Sequence, residues 1–408
     1  MSIAYIQGFE LIEPPLNYQP GGFGMEDLGW VTQMTISCGD DTVAPADWYV
    51  GVAGTNDTGS SGVFVQASGA RISGQCLAFK RPHAGEHNAT FNGSLNVMTT
   101  VELAATECVN FGFGVRYDAR PLRAIPVLRF SYDNGVTDTE QAVMWIGRNG
   151  NIFFASSAFD FEETEPHNPV PIEEATTVTG AFVFTRWHFI EISITLVADE
   201  QSVLSISVDG VPLMEFEPIP ELMRAPRPLI NRVGIINPMN TYFEGGYTMF
   251  VDDVYVGNDL GTQNTSLLGQ QHIVRLSLGA ASLTQWEPVG EAENALCVSK
   301  RLGDPENYDS YVQATSHNKF DVYEFGELGA MFTTVNAVRI LSEQSIATGT
   351  GTLTLRAIDA VNGNYTMNVL TPIPDQNGTY LGNALFEAFG SRDLTIANVN
   401  AAMFGYGS

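Results

Sequence analysis

A chain of 408 residues with a formal net charge of -27, from 19 Lys and Arg against 46 Asp and Glu, is a poor ligand for nucleic acid or an anionic membrane surface, because both associations need negative charge to be neutralised. Its hydrophobic fraction of 44% is enough to bury two or three domain cores, yet it has no run of about 18 apolar residues, which excludes a transmembrane helix. The 40 glycines and 20 prolines, spread between short apolar runs, favour strands joined by many turns.

In chain order, Met1 to Glu10 has neither a basic n-region nor an apolar h-region, so no signal peptide is expected and synthesis is placed in a cytoplasm. Residues 3–6 read as a first strand, followed by a Pro/Gly-rich loop over 14–24. Strands are expected at 34–38, 62–66, 78–79 and 98–103, and again at 110–117, where Gly112 and Gly114 point to close packing or a bulge. A strand over 126–132 meets the turn Asp133-Asn134-Gly135, and 143–147 returns through Arg148-Asn149-Gly150-Asn151 into 152–154 as a hairpin. The most regular alternation runs from Trp187 to Val256. Trp187, Phe189, Glu191, Ser193 and Thr195 share one parity; His188, Ile190, Ile192, Ile194 and Leu196 share the other. Asp209-Gly210 joins two alternating runs as a tight hairpin turn.

These short strands make residues 1–258 one all-β sandwich. Residues 259–272 carry few large apolar side chains and read as a linker or strap. Residues 273–408 form a second, smaller and mostly β domain, with strands at 273–276, 311–314, 320–325, 336–341, 352–358 and 365–370. Short helices are expected at 383–389 and 395–403, the latter capped by Thr395. The apolar run from Ala401 to Tyr406 reads as a docking segment or as packing within its own domain.

The order Trp187, Glu191, Asp209-Gly210, Asp252-Asp253-Val254-Tyr255 resembles the concanavalin A-like (laminin G-like) jelly roll of bacteriophage virion proteins. The resemblance continues through Leu267-Leu268-Gly269, Trp286-Glu287-Pro288-Val289-Gly290, Asp309-Ser310-Tyr311-Val312 and the closing Phe404-Gly405-Tyr406. It covers the last half of the chain and extends weakly into the first. It implies a concanavalin A-like jelly roll followed by a virion-assembly domain.

Jelly rolls also host glycosidases, which place two carboxylates about one bond. The Glu-x-Asp-x-x-Glu strand pattern is absent, and Glu215 and Glu217 have the right parity but sit near a turn. Asp40-Asp41, Asp252-Asp253 and the acidic loop over 160–169 offer oxygens for calcium, but none matches a dedicated loop. His83 and His87 are four apart in a loop rather than on a helix, and His167, His188, His272 and His317 stand alone. Cys38, Cys76, Cys108 and Cys297 are scattered without a C-x-x-C pair, so zinc spacing is missing and buried thiols are favoured over disulfides. The sequons at Asn56, Asn88, Asn92, Asn264, Asn364 and Asn377 read as turn chemistry. Trp48-Tyr49 and Tyr242-Phe243 could stack on sugars, but core packing explains them more simply.

No residue is therefore nominated as catalytic, cofactor-binding or metal-ligating, and the chain is expected not to be an enzyme. The resemblance implies a structural component of a bacteriophage virion, tail or tail-fibre associated. It would be located in the particle and built through contacts with copies of itself and other virion proteins, without nucleic acid or membrane insertion. A glycan-binding module for host-surface attachment is one alternative, and a capsid decoration protein another.

Overall fold

Alternation at period two gives each strand one face toward a core and one away from it, and the strands pair on that basis. The structure is a computed structural model. It describes residues 3–7, 30–37, 48–50, 61–66, 69–72, 74–80, 94–120, 125–147, 150–155, 182–196, 202–219, 229–240, 247–299, 309–316, 318–344, 353–359, 363–369, 380–389 and 392–407. The chain separates into two compact units, the first running to Ile273 and the second continuing from Val274.

The first unit contains β1 (Ile3–Gln7), β2 (Trp30–Ser37), β3 (Trp48–Val50), β4 (Ser61–Gln66), β5 (Cys76–Lys80), β6 (Ser94–Thr106), β7 (Cys108–Tyr117) and β8 (Ile125–Asp133). It continues with β9 (Asp138–Ile146), β10 (Ile152–Ala155), β11 (His188–Thr195), β12 (Ser202–Val208), β13 (Val211–Ile219), β14 (Ile230–Asn240) and β15 (Thr248–Asn258). Among the described residues these form two sheets. The larger has nine strands in the order β13-β12-β11-β7-β15-β5-β4-β3, with β1 also on β15; the smaller has six, in the order β10-β9-β8-β14-β6-β2. Every pairing is antiparallel except β3 with β4.

The register shows which residues share a face. Phe113, Phe111 and Val109 of β7 stand opposite Ile190, Ile192 and Ile194 of β11, and Val251 and Val256 of β15 stand opposite Val115 and Phe111. All are buried. Phe111 meets Phe130 of the smaller sheet edge-on at 6.4 Å, which places this face between the two sheets. The fold class is therefore all-β, with a jelly-roll sandwich as its larger part.

Two expected turns take the conformation that their sequences require. Asp209 and Gly210 both have positive φ, 54° and 75°, the pair a two-residue hairpin turn demands. Gly135 closes the β8–β9 hairpin at φ 83°.

The second unit contains β16 (Leu278–Thr284), β17 (Glu287–Val289), α1 (Asn294–Val298), β18 (Tyr311–Gln313), β19 (Phe320–Phe325), β20 (Val338–Gln344) and β21 (Thr354–Asp359). After these come β22 (Gly363–Val369), β23 (Tyr380–Phe386), β24 (Ala388–Phe389), β25 (Arg392–Asp393), α2 (Ile396–Asn400) and β26 (Ala402–Gly407). Its main sheet runs β16-β19-β26-β21-β22. Leu355, Ala357, Phe386, Phe389, Val399 and Phe404 are among the residues of its core.

Buried Asp321 is the polar knot of this unit. Its Oδ1 accepts from the backbone N–H of Gln285 and Trp286, at 2.7 and 2.9 Å. Its Oδ2 accepts from Asn294 Nδ2 at 2.6 Å and Tyr323 OH at 2.8 Å. Burial above all pushes the Tyr323 and Tyr406 phenols well above their ordinary range, so both serve here as hydrogen-bonding hydroxyls.

Several expectations need correction. Residues 273–276 form no strand; the first strand of the second unit is β16. Residues 383–389 are not helical but lie in β23 and β24. Ala401 to Tyr406 is no free docking segment, because β26 is the middle strand of its own sheet. Residues 259–272 belong to the first unit rather than lying between the two. The Thr395 cap is present, with Oγ1 accepting from the N–H of Asn398 at 3.1 Å. No helix among the described residues is long and apolar enough to cross a membrane.

Candidate functional site on the outer face of the larger sheet

The face of the nine-stranded sheet turned away from the smaller sheet carries the more polar parity of β7, β11 and β12. Its centre is a row that crosses four strands: Tyr255 of β15, Gly112 of β7, Glu191 of β11 and Ser207 of β12. Gly112 has no side chain, and the Tyr255 ring fills the vacant space; a Cβ there would lie 2.1 Å from Tyr255 Cε1. The phenol thus reaches across β7 and donates to Glu191 Oε1 at 2.7 Å. Ser207 Oγ donates to Oε2 at 3.0 Å. Glu191 is 1% exposed, so these bonds are what make its burial tolerable.

The next row repeats the device. Gly114 lies opposite both Asp252 and Phe189, and a Cβ on it would come within 3.0 Å of Arg71 Cδ. Arg71 enters from the segment before β5 and stacks over the Phe189 ring at 4.5 Å. Its backbone N–H donates to Asp252 Oδ2 at 3.0 Å, and its Nη1 donates to Asp253 Oδ2 at 2.9 Å. Asp253 has φ 52°, and the β7–β15 register shifts between Asp252 and Tyr255, so a bulge brings two adjacent carboxylates to Arg71. Farther along, Arg116 lies over the Phe250 ring at 4.4 Å, and Trp187 donates from Nε1 to the carbonyl of Gly69 at 3.1 Å.

Residues 259–273 strap across this face. Asn110 Nδ2 donates to the Thr265 carbonyl at 3.1 Å. Tyr255 OH accepts from the Leu268 N–H at 3.3 Å. Arg71 Nη1 donates to the Gln271 carbonyl at 2.6 Å, and Asp253 Oδ1 accepts from the Ile273 N–H at 2.7 Å. In each of these ties a side chain of the sheet or of Arg71 grips the strap by its main chain.

Asp252 and Tyr255 have displaced proton affinities. Burial first, then the neighbouring Asp253 carboxylate, pushes the Asp252 pKa up to about 8, against the pull of Arg71 and two backbone N–H donors. Burial, then the Glu191 charge, holds the Tyr255 phenol well above its ordinary range. Tyr255 is therefore a hydrogen-bond donor to Glu191, not a base.

His188 and Asp209 have the outline of a catalytic dyad, with Nδ1 and Oδ2 2.7 Å apart. However, Nε2 accepts from the Val183 N–H at 3.0 Å. That fixes a neutral ring donating from Nδ1 and leaves no nitrogen to serve a nucleophile. Asp209 Oδ1 also accepts from the Phe189 N–H, so the pair locks the hairpin turn onto β11.

The sequence candidates fall as follows. Asp252 and Asp253 lie in β15 and are engaged by Arg71 and the strap. Among the described residues no group of three or more His, Cys, Asp or Glu is placed to hold a metal ion. Glu215 and Glu217 lie in β13, the edge strand of the larger sheet. Asp40-Asp41, the 160–169 loop, His83, His87, His167, His317, Cys38 and Tyr242-Phe243 lie outside the described residues. So do the sequons at Asn56, Asn88, Asn92 and Asn377. Cys76, Cys108 and Cys297 are buried and not in disulfides. Sequence reasoning missed Arg71 and Ser207 altogether. The available signal was the alternation of Gly112 and Gly114, whose empty positions are filled by Tyr255 and Arg71.

No protein-family model matches the sequence, and no curated protein matches it. Solved structures do. An endo-β-1,4-glucuronan lyase from the fungus Trichoderma reesei matches at 13% identity over 55% of this chain and 94% of its own, with a TM-score of 0.35. A cellulose induced protein matches at 11% identity over 59% and 94%, TM-score 0.34. An alginate lyase from Chlorella virus matches at 10% identity over 48% and 88%, TM-score 0.31. At these identities the likeness is one of fold alone.

One expectation is overturned here, that the chain is not an enzyme: the similar structures include polysaccharide lyases and sialidases. The expectation rested on the missing carboxylate pair. The structures named here are not virion proteins, and the virion reading rests on the sequence resemblance.

Proposed function

We propose that this chain is a structural component of a bacteriophage virion, tail or tail-fibre associated, assembled through contacts with its own copies and with other virion proteins. The observation that carries this reading is the closure of the outer sheet face. Polar side chains that would line an open groove instead hold the chain's own strap, and Glu191 has both oxygens bonded. A sandwich stiffened from outside as well as from its core suits a repeated building block. The ordered sequence motifs from Trp187 to Tyr406 support the same reading. Mass spectrometry of purified particles should detect the chain in stoichiometric amount, and antibody labelling should place it on the tail; label on the head would favour a decoration protein. Its absence from particles would end the proposal.

A second reading, engagement of host-surface glycans, would require this face to open, because Asn110, Ser205 and Ser207 on it are buried. A glycan array would reveal binding, and incubation with polysaccharides followed by product analysis would reveal cleavage.

A further inference from the structure

Asp252 and Asp253 are 2% and 3% exposed, and the Arg71 side chain is 7% exposed. Arg71 thus meets both buried carboxylates, Asp253 through its guanidinium and Asp252 through its backbone N–H. The charged and titratable groups around Asp252 are few. Asp253 and Tyr255 lie on its own strand, Arg71 comes from the segment before β5, and Cys76 comes from β5. β7 presents Gly114 directly and Arg116 one row away, beside Phe250. β11 presents Phe189 and, a row further, Glu191, which Tyr255 and Ser207 hold. The strap adds His272, whose Nδ1 is 3.5 Å from Asp253 Oδ2. Burial, then the charge of Asp253, raises the proton affinity of Asp252.

The same cluster holds the strap where it leaves the first unit. Arg71 Nη1 bridges Asp253 and the Gln271 carbonyl, and Asp253 also takes the Ile273 N–H. Any gain of charge within the cluster therefore acts on those two ties.

We propose that Arg71, Asp252 and Asp253 form a proton-operated clamp that holds residues 259–273 on the sheet in acid and loosens them as the pH rises. The sign follows from the raised proton affinity of Asp252. Lifting the strap would hydrate the cluster and return Asp252 toward its ordinary pKa, 3.8, from about 8. The closed form is thus fully favoured below about 4, loses its advantage between the two values, and levels off above about 8.

Hydrogen–deuterium exchange of the full-length chain tests this, read at the Leu268 and Ile273 amides and divided by the intrinsic exchange rate at each pH. The corrected opening constant should rise by roughly tenfold or more between pH 5 and pH 8, then flatten. Asp252→Asn should remove most of that rise. Asp253→Asn, a residue that tolerates the positive φ there, should move the plateau to lower pH. His272→Gln should keep most of the rise, since the clamp does not need the imidazole. A wild-type constant independent of pH would overturn the proposal, as would an undiminished rise in Asp252→Asn. If that variant does not fold, an unmoved plateau in Asp253→Asn overturns it. The readout does not depend on what the protein does in a particle.

Discussion

Gly112 decides whether the buried glutamate of the outer face can be satisfied. In Gly112→Ala the new methyl would sit within the space of the Tyr255 ring, so the ring must move and its bond to Glu191 must stretch. Denaturant unfolding should show the first unit weakened by about 1–3 kcal/mol, the usual cost of overpacking; an unchanged midpoint would mean that the ring yields freely. Tyr255→Phe removes the donor while leaving the carboxylate buried, and should cost about 1–3 kcal/mol. Adding Glu191→Leu to that variant should recover part of the loss, because both partners are then apolar. Strictly additive single and double variants would show that the bridge has no coupling energy.

At the scale of elements, α2 is only five residues long, and Thr395 closes its first turn. Thr395→Ala should lower the stability of the second unit by about 0.5–2 kcal/mol, measured as the shift of its unfolding transition. The cap was legible because its chemistry is local, and so was the Asp209-Gly210 turn. The strand parities from Trp187 to Leu196 were legible too, because a half-polar sheet face writes itself into alternate residues. Residues 383–389 misled because Asn-Ala-Leu-Phe-Glu-Ala-Phe has helical propensity, whereas Val338–Gln344 pairs with this segment from remote sequence and overrides it. Ile273 and Val274 are β-branched and Leu276 is apolar, but no strand among the described residues pairs with them. The strap was legible only as weakly apolar sequence. Its ties run from its main chain to side chains such as Arg71, 200 residues away, and no local pattern encodes them.

At the scale of the molecule, the exposed large apolar side chains among the described residues are spread over both units. Val136, Val211 and Leu260 are exposed in the first unit, as Leu283, Leu296 and Met331 are in the second. The run from Ala401 to Tyr406 is apolar because no residue of β26 is exposed on either face, and a strand buried on both faces needs no polar parity. Deleting residues 399–407 should therefore unfold the second unit and spare the first. Circular dichroism melting and limited proteolysis would check this. A truncated chain that keeps both units resistant to protease would show β26 to be dispensable.

The strand β15 pairs with β1, β5 and β7, and the pairing with β1 joins Ile3 to Gly257. While the chain is being made, β1, β5 and β7 must wait for a partner that emerges some 250 residues after the first of them. At roughly 5–20 residues per second, that interval is on the order of tens of seconds. During it the nascent sheet presents unpaired edges, the surfaces through which growing chains on neighbouring ribosomes stick to one another. Recovery of soluble protein should accordingly depend more on holdase chaperones and on slow, dilute expression than on the stability of the finished sandwich.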